Sequence, residues 1–143
     1  GGGRSHFVSF GEEGRSLFAT IRAMKIAEYI RSDGSSPYAK WFNGLNAIAA
    51  AKVTVAIARL ELGNGSNIKW FDGIWEYRII WGPGFRIYRV QDGKELIILF
   101  GGGTKKRQQA DIENAKRLWK EYKKRKKEES DDPLLRIPEN EEG

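Results

Sequence analysis

The chain has 143 residues, 40% of them hydrophobic, with five tryptophans, one histidine, no cysteine and a formal net charge of +6. That length and composition suit one globular domain with a core of its own, while the missing cysteines exclude disulfides and thiolate chemistry. The pI of about 9.6 favours acidic partners such as nucleic acid, an acidic protein or an anionic surface; no stretch reaches the ~18 apolar residues of a membrane span and no secretory signal is present, so a cytoplasmic protein without a membrane partner is expected.

Residues 1–23, GGGRSHFVSFGEEGRSLFATIRA, lack a clear period, and the sole methionine, Met24, follows them. They read as a leader or appended extension, expected to be disordered. From Met24 the pattern settles. KIAEYI (25–30) alternates as a strand does. SDGSSP is a turn in which Ser36 caps a short helix and Pro37 takes its first position. Asn46 is placed to cap a second helix, AIAAAKVTVAIARLEL. Two stripes run along it at helical spacing: Ile48, Ala51, Val55, Ala58 and Leu62, and Ala49, Val53, Ala56 and Leu60. Gly63 stops it.

Three strands are predicted next: IWEYRII (74–80), FRIYRV (85–90) and ELIILF (95–100). Gly82-Pro83-Gly84 joins the first two as a hairpin, and QDGK turns into the third. A helix follows over roughly 107–127, burying Ile112, Ala115, Leu118 or Trp119, and Tyr122. Its end, KKRKK, is expected to project, and 128–143 to form a disordered acidic tail. Charge divides there. Thr104 to Lys127 holds eleven Lys/Arg against three acids, and Glu128 to Gly143 one Arg against seven acids. The order β-α-α-β-β-β-α predicts an α+β fold. Its small, mostly antiparallel sheet carries the two N-terminal helices on one face, with a C-terminal helix besides. The folded domain is expected to span 24–127.

Several chemistries fall away. One histidine outside the core and no cysteine rule out a zinc or iron site and a Ser-His-Asp triad. No metal or other cofactor is expected. The glycines of FGGGTKKRQQ (100–109) match neither a Walker loop nor G-x-G-x-x-G. They suit either a plain exit from a central strand or, through Gly102 and Gly103, a close backbone approach to a ligand. Convergence favours a phosphate site. Arg78 and Arg86 lie on hairpin-paired strands, and Lys105, Lys106 and Arg107 follow the glycines at a helix start, where free N–H groups attract anions. Tyr77, Tyr88 and Tyr122 offer aromatic faces for bases of single-stranded RNA.

SPYAKWFNGL, ARLELGN, GIWEYRIIWGPGFRIYRV and LIILFGGGTKKRQQADIENAKRLW resemble toxins of the RelE/ParE superfamily, within it the HigB-like "addiction module killer" group. The likeness covers Met24 to about Lys127. It implies the toxin of a type II toxin–antitoxin pair with a RelE-like fold and an antitoxin of the helix-turn-helix kind. It further implies a ribosome-dependent endoribonuclease acting on messenger RNA (an mRNA interferase that arrests translation). A ParE-like gyrase poison, or a non-catalytic basic binding module of the same fold, is the alternative. By this resemblance Arg86 grips the scissile phosphate, Arg78 keeps the first strand cation, and Lys105 or Lys106 supplies the base-bearing position after the glycine turn. Ile80 replaces a second strand cation, and the family's C-terminal tyrosine has no counterpart in QQADI. Arginine stays protonated and can act only electrostatically. A base must therefore be a lysine among cations or a phenolate at Tyr88 or Tyr122. So poor a set for free RNA implies that the ribosome orients the substrate.

Overall fold

The computed structural model describes residues 24–63, 67–132 and 134. The expected leader, 1–23, and most of the expected acidic tail lie outside the described residues. The elements are β1 (Lys25–Glu28), α1 (Pro37–Asn43), α2 (Ala47–Glu61), β2 (Ile68–Phe71), β3 (Ile74–Ile79), β4 (Phe85–Asp92), β5 (Leu96–Gly103), a 3-10 turn (Lys105–Arg107) and α3 (Gln108–Asp131). The fold is α+β, as the sequence predicts.

One five-stranded sheet runs in the order β1-β5-β4-β3-β2. Strands β2 to β5 are antiparallel neighbours, and β1 joins β5 in parallel. Strand β2 is a correction to the predicted order. Its four residues end at Asp72-Gly73, both at positive φ (53° and 99°), where a two-residue loop returns the chain into β3. Positive φ at both loop positions matches the right-handed twist of a hairpin.

Caps form as expected. The Ser36 hydroxyl accepts from the Ala39 N–H at 3.0 Å, and the Asn46 carbonyl from the Ala49 N–H at 2.8 Å. Helices α1 and α2 cover one sheet face, where Tyr38, Val53, Leu60, Tyr77, Ile87 and Leu99 form a core. Helix α3 covers the other, packing Ile112, Ala115 and Leu118 on Ile74, Tyr88 and Phe100. Of the two α2 stripes, Ala49, Val53, Ala56 and Leu60 is the buried one.

Two further readings are corrected at the end of α3. The helix continues through the first acids of the expected tail, to Asp131. The KKRKK stretch also does not simply project. Arg125 donates to the Ile30 carbonyl at 2.8 Å, and Lys126 pairs with Asp92 at 2.8 Å. With Arg31 on Glu121 at 2.8 Å, these contacts fasten the far half of α3 across β1 and β4. Among the described residues no helix is long and apolar enough to cross a membrane.

Candidate functional site

Strand alternation decides which side chains can meet. Residues 74, 76 and 78 of β3 and 86, 88 and 90 of β4 point toward α3, whereas Tyr77 and Ile87 point toward α2. Arg78 and Arg86 are direct cross-strand partners, so the hairpin does bring both arginines to one face. Two like charges that close need a counter-charge, and Glu76 supplies it. Its residue is fully buried. Its carboxylate receives Arg78 Nε at 3.1 Å, the Tyr88 hydroxyl at 3.1 Å and Gln108 Nε2 at 2.8 Å. Arg86 Nε lies 3.5 Å from it, near enough for ion pairing but without a directed hydrogen bond. Only 12% of the Arg86 side chain is exposed, against 35% for Arg78.

The basic turn starts beside this pair. Arg86 is in register with Gly103, two residues before Lys105. Lys105, Lys106 and Arg107 are exposed. Arg107 Nε sits 3.8 Å from Asp111 in the first turn of α3. That carboxylate sits in the first turn of α3, near the positive end of the helix, where it would compete with an external anion.

The glycines have a packing role that corrects their reading as open approach points. The register between β4 and β5 slips by one residue between Tyr88 and Arg89, leaving Phe100 as the extra residue on β5, so the alternation of β5 shifts at Phe100 and Gly101. Gly102 then faces α1 and Gly103 faces α3. A Cβ on Gly102 would meet the Trp41 ring at 2.6 Å, and one on Gly103 would collide with the Asp111 carboxylate. Gly102→Ala is expected to cost about 1–3 kcal/mol through overpacking. A melting temperature equal to wild type would show instead that the Trp41 ring yields freely.

The tyrosines do not form a stacking platform. Tyr77 is buried on the opposite face, and Tyr88 is 1% exposed beneath α3. Tyr122 bonds Asp92, six residues along β4 from Arg86, which is about 20 Å at the usual strand rise. Burial and a neighbouring carboxylate push both hydroxyls up, Tyr88 beside Glu76 and Tyr122 beside Asp92. Both phenols therefore keep their protons, which corrects the idea of a phenolate base.

A cleft of about 820 Å3 opens between the loop after β1, the start of α1 and the start of α3. Arg31, Lys40 and Arg107 line it with Trp41, Gly101 and Asp111. Oδ2 of Asp111 is buried without a hydrogen bond among the described residues. Burial pushes this carboxyl above its ordinary value, and Arg107 opposes the shift. Such a group stabilises the fold while protonated, and loses that contribution as pH rises from the unfolded value of ~3.9 through the raised one. Asp111→Asn removes the loss. The variant is expected to gain stability relative to wild type as pH rises above about 4, read from urea midpoints; parallel curves would refute this.

Glu76 and Gln108 are what the sequence reading of the site left out. Glu76 is within reach of a parity argument, since it is two residues from Arg78 and so shares its face, whereas Gln108 reaches it only through the packing of α3 on the sheet.

An α+β domain with a buried carboxylate holding two arginines beside a basic turn is the class the fold and the site define. No protein-family model matches the chain. It is 43% identical over 83 residues to an uncharacterized protein of Haemophilus influenzae, covering 57% of this chain and 84% of that one. The chain belongs to the family of that protein.

Proposed function

We propose that this protein is the toxin of a type II toxin–antitoxin pair and cuts messenger RNA on the ribosome. The observation that carries the reading is the cross-strand pair Arg78–Arg86, held against buried Glu76 and set beside Lys105–Arg107. It joins the RelE-like wording of the hairpin and the glycine turn. Cleavage by the 2′-hydroxyl builds negative charge on the phosphorus oxygens. Two guanidiniums fixed before the substrate arrives stabilise that charge with little reorganisation. Glu76 keeps them aligned without spending their remaining N–H groups, because it engages each through Nε.

Proton transfer is the weak part of this site. The arginines cannot accept a proton, and the phenols of Tyr88 and Tyr122 hold theirs. The site is a phosphate clamp that relies on its host to orient the RNA, a contribution worth ~7–11 kcal/mol when complete. That supports dependence on the ribosome. The test is induction in cells with mapping of RNA 5′ ends. New ends inside translated frames, absent when translation is blocked, are expected.

The gyrase-poison reading draws on Ile80, 81% exposed where the RelE-type pattern has a cation. It predicts inhibited supercoiling with intact messages, so one induction experiment with both assays separates the two. An acidic segment of the cognate antitoxin is expected to cover Arg86 and the basic turn. Such complementarity mainly raises association rate and fades with salt. A complex that leaves Arg86 and Lys105–Arg107 open to solvent would overturn this expectation.

A further inference from the structure

Helix α2 carries a second apolar stripe that the domain does not use. Ile48, Val55 and Leu62 are 64%, 50% and 61% exposed, and Ala51 and Ala58 are exposed between them. Their spacings alternate three and four residues, the repeat of a helix seam. At 100° per residue the stripe centres roughly 150° from the buried Ala49–Val53–Ala56–Leu60 stripe, so it faces away from the sheet. A helix apolar on two opposed sides is usually covered on both. Large residues alternate here with alanines, which lets a second helix approach closely.

Charge selects the occupant. Lys52 and Arg59 flank the seam on one side, at the position that follows each alanine. Lys52 Nζ also stands 5.6 Å over the Trp81 ring, which holds this cation at the edge of the seam. A second copy packed antiparallel would set Lys52 and Arg59 against their own equivalents, and a parallel copy would offer them Ala47 and Thr54. Neither supplies an acid to these two.

We infer that the outer face of α2 is a docking surface for an amphipathic helix of another protein, with an apolar 3.5-residue repeat and acidic flanks. The surface lies across the sheet from Arg86, so the inference stands whether or not the chain cuts RNA.

The probe is a synthetic three-heptad peptide with leucine at the seam positions and glutamate on both flanks. The glutamates keep it from pairing with itself at neutral pH. A second peptide carries lysine in their place. The full chain should bind the glutamate peptide, and Val55→Asp should weaken that binding by about tenfold or more. Lys52→Glu combined with Arg59→Glu should reverse the preference, so that the lysine peptide binds and the glutamate peptide does not. All three substituted positions are exposed, and thermal melts check that each variant folds. Equal binding of both peptides, binding of neither, or glutamate-peptide binding indifferent to Val55→Asp would each overturn the inference. So would a concentration-dependent dimer of the chain that Val55→Asp abolishes, because the occupant would then be a second copy.

Discussion

Arg86→Ala is expected to slow the cutting of translated messages by about a hundred- to a thousandfold, the usual cost of one fixed donor to a transition-state charge. The variant should still fold. Arg86 gives Glu76 only a 3.5 Å contact without a directed hydrogen bond. After its removal the carboxylate keeps Arg78, the Tyr88 hydroxyl and Gln108. The buried charge therefore stays compensated, and the side chain lost is a polar one at the end of β4. Arg78→Ala should slow cutting less, because Arg78 is more exposed and its charge is better screened by water. It should destabilise more, because its bond to Glu76 is the better one. That opposite ranking of rate and stability tells a role in the reaction from a role in the fold. The measurement is a cleavage time course on translating ribosomes beside a urea melt of each variant. Wild-type cutting by folded Arg86→Ala protein would remove the main support for an RNA-cleaving site here.

The fold was largely legible because the strong signals were local. Ser36-Pro37, Asn46 and Gly82-Pro83-Gly84 each fix a backbone step through their own chemistry. What the reading missed had causes of a different kind. Strand β2 is only four residues long, and Asp72-Gly73 behind it was a hairpin signal passed over in favour of the longer apolar runs. The two stripes of α2 share one period, so periodicity could not say which of them meets the sheet; only packing separates them. At the site, Arg78 and Arg86 stand out in the sequence as strand cations, whereas Glu76 lies unmarked between β3's apolar residues. Strand parity already placed Tyr77 and Tyr88 on opposite faces, given their register in the hairpin. The glycine triplet was opaque for a deeper reason. Its facing depends on a bulge, and the groups that fill the space over Gly102 and Gly103 come from α1 and α3. Besides a phosphate seat or a plain strand exit, the structure gives the glycines a third role. The glycines let Trp41 and Asp111 close down on β5, and by doing so set the basic turn beside Arg86.

Glu76→Ala is expected to destabilise the protein by about 3 kcal/mol. Removing one member of a buried ionic network typically costs ~3–5 kcal/mol, because the partners' charges are left uncompensated. Here the lower end applies, since Arg78 is partly exposed and can recover water, whereas Arg86 at 12% cannot. The two arginines would face each other directly across the β3–β4 ladder, and the Tyr88 hydroxyl and Gln108 amide would lose their shared acceptor. Glu76→Gln keeps the shape and one acceptor oxygen but removes the negative charge, so it should fall between wild type and alanine. A Glu76→Met, Arg86→Met double variant should recover part of the loss, because the network then ends with one exposed-side cation in place of two opposed ones. That non-additivity is the signature of coupling, and urea midpoints of wild type, Glu76→Met, Arg86→Met and the double variant measure it. Glu76→Ala within about 1 kcal/mol of wild type would show that the arginines are held by something else. Activity per folded molecule adds the functional half. If Glu76 aligns the clamp, Glu76→Gln should cut more slowly than wild type even where both are fully folded, and equal rates there would confine Glu76 to stability.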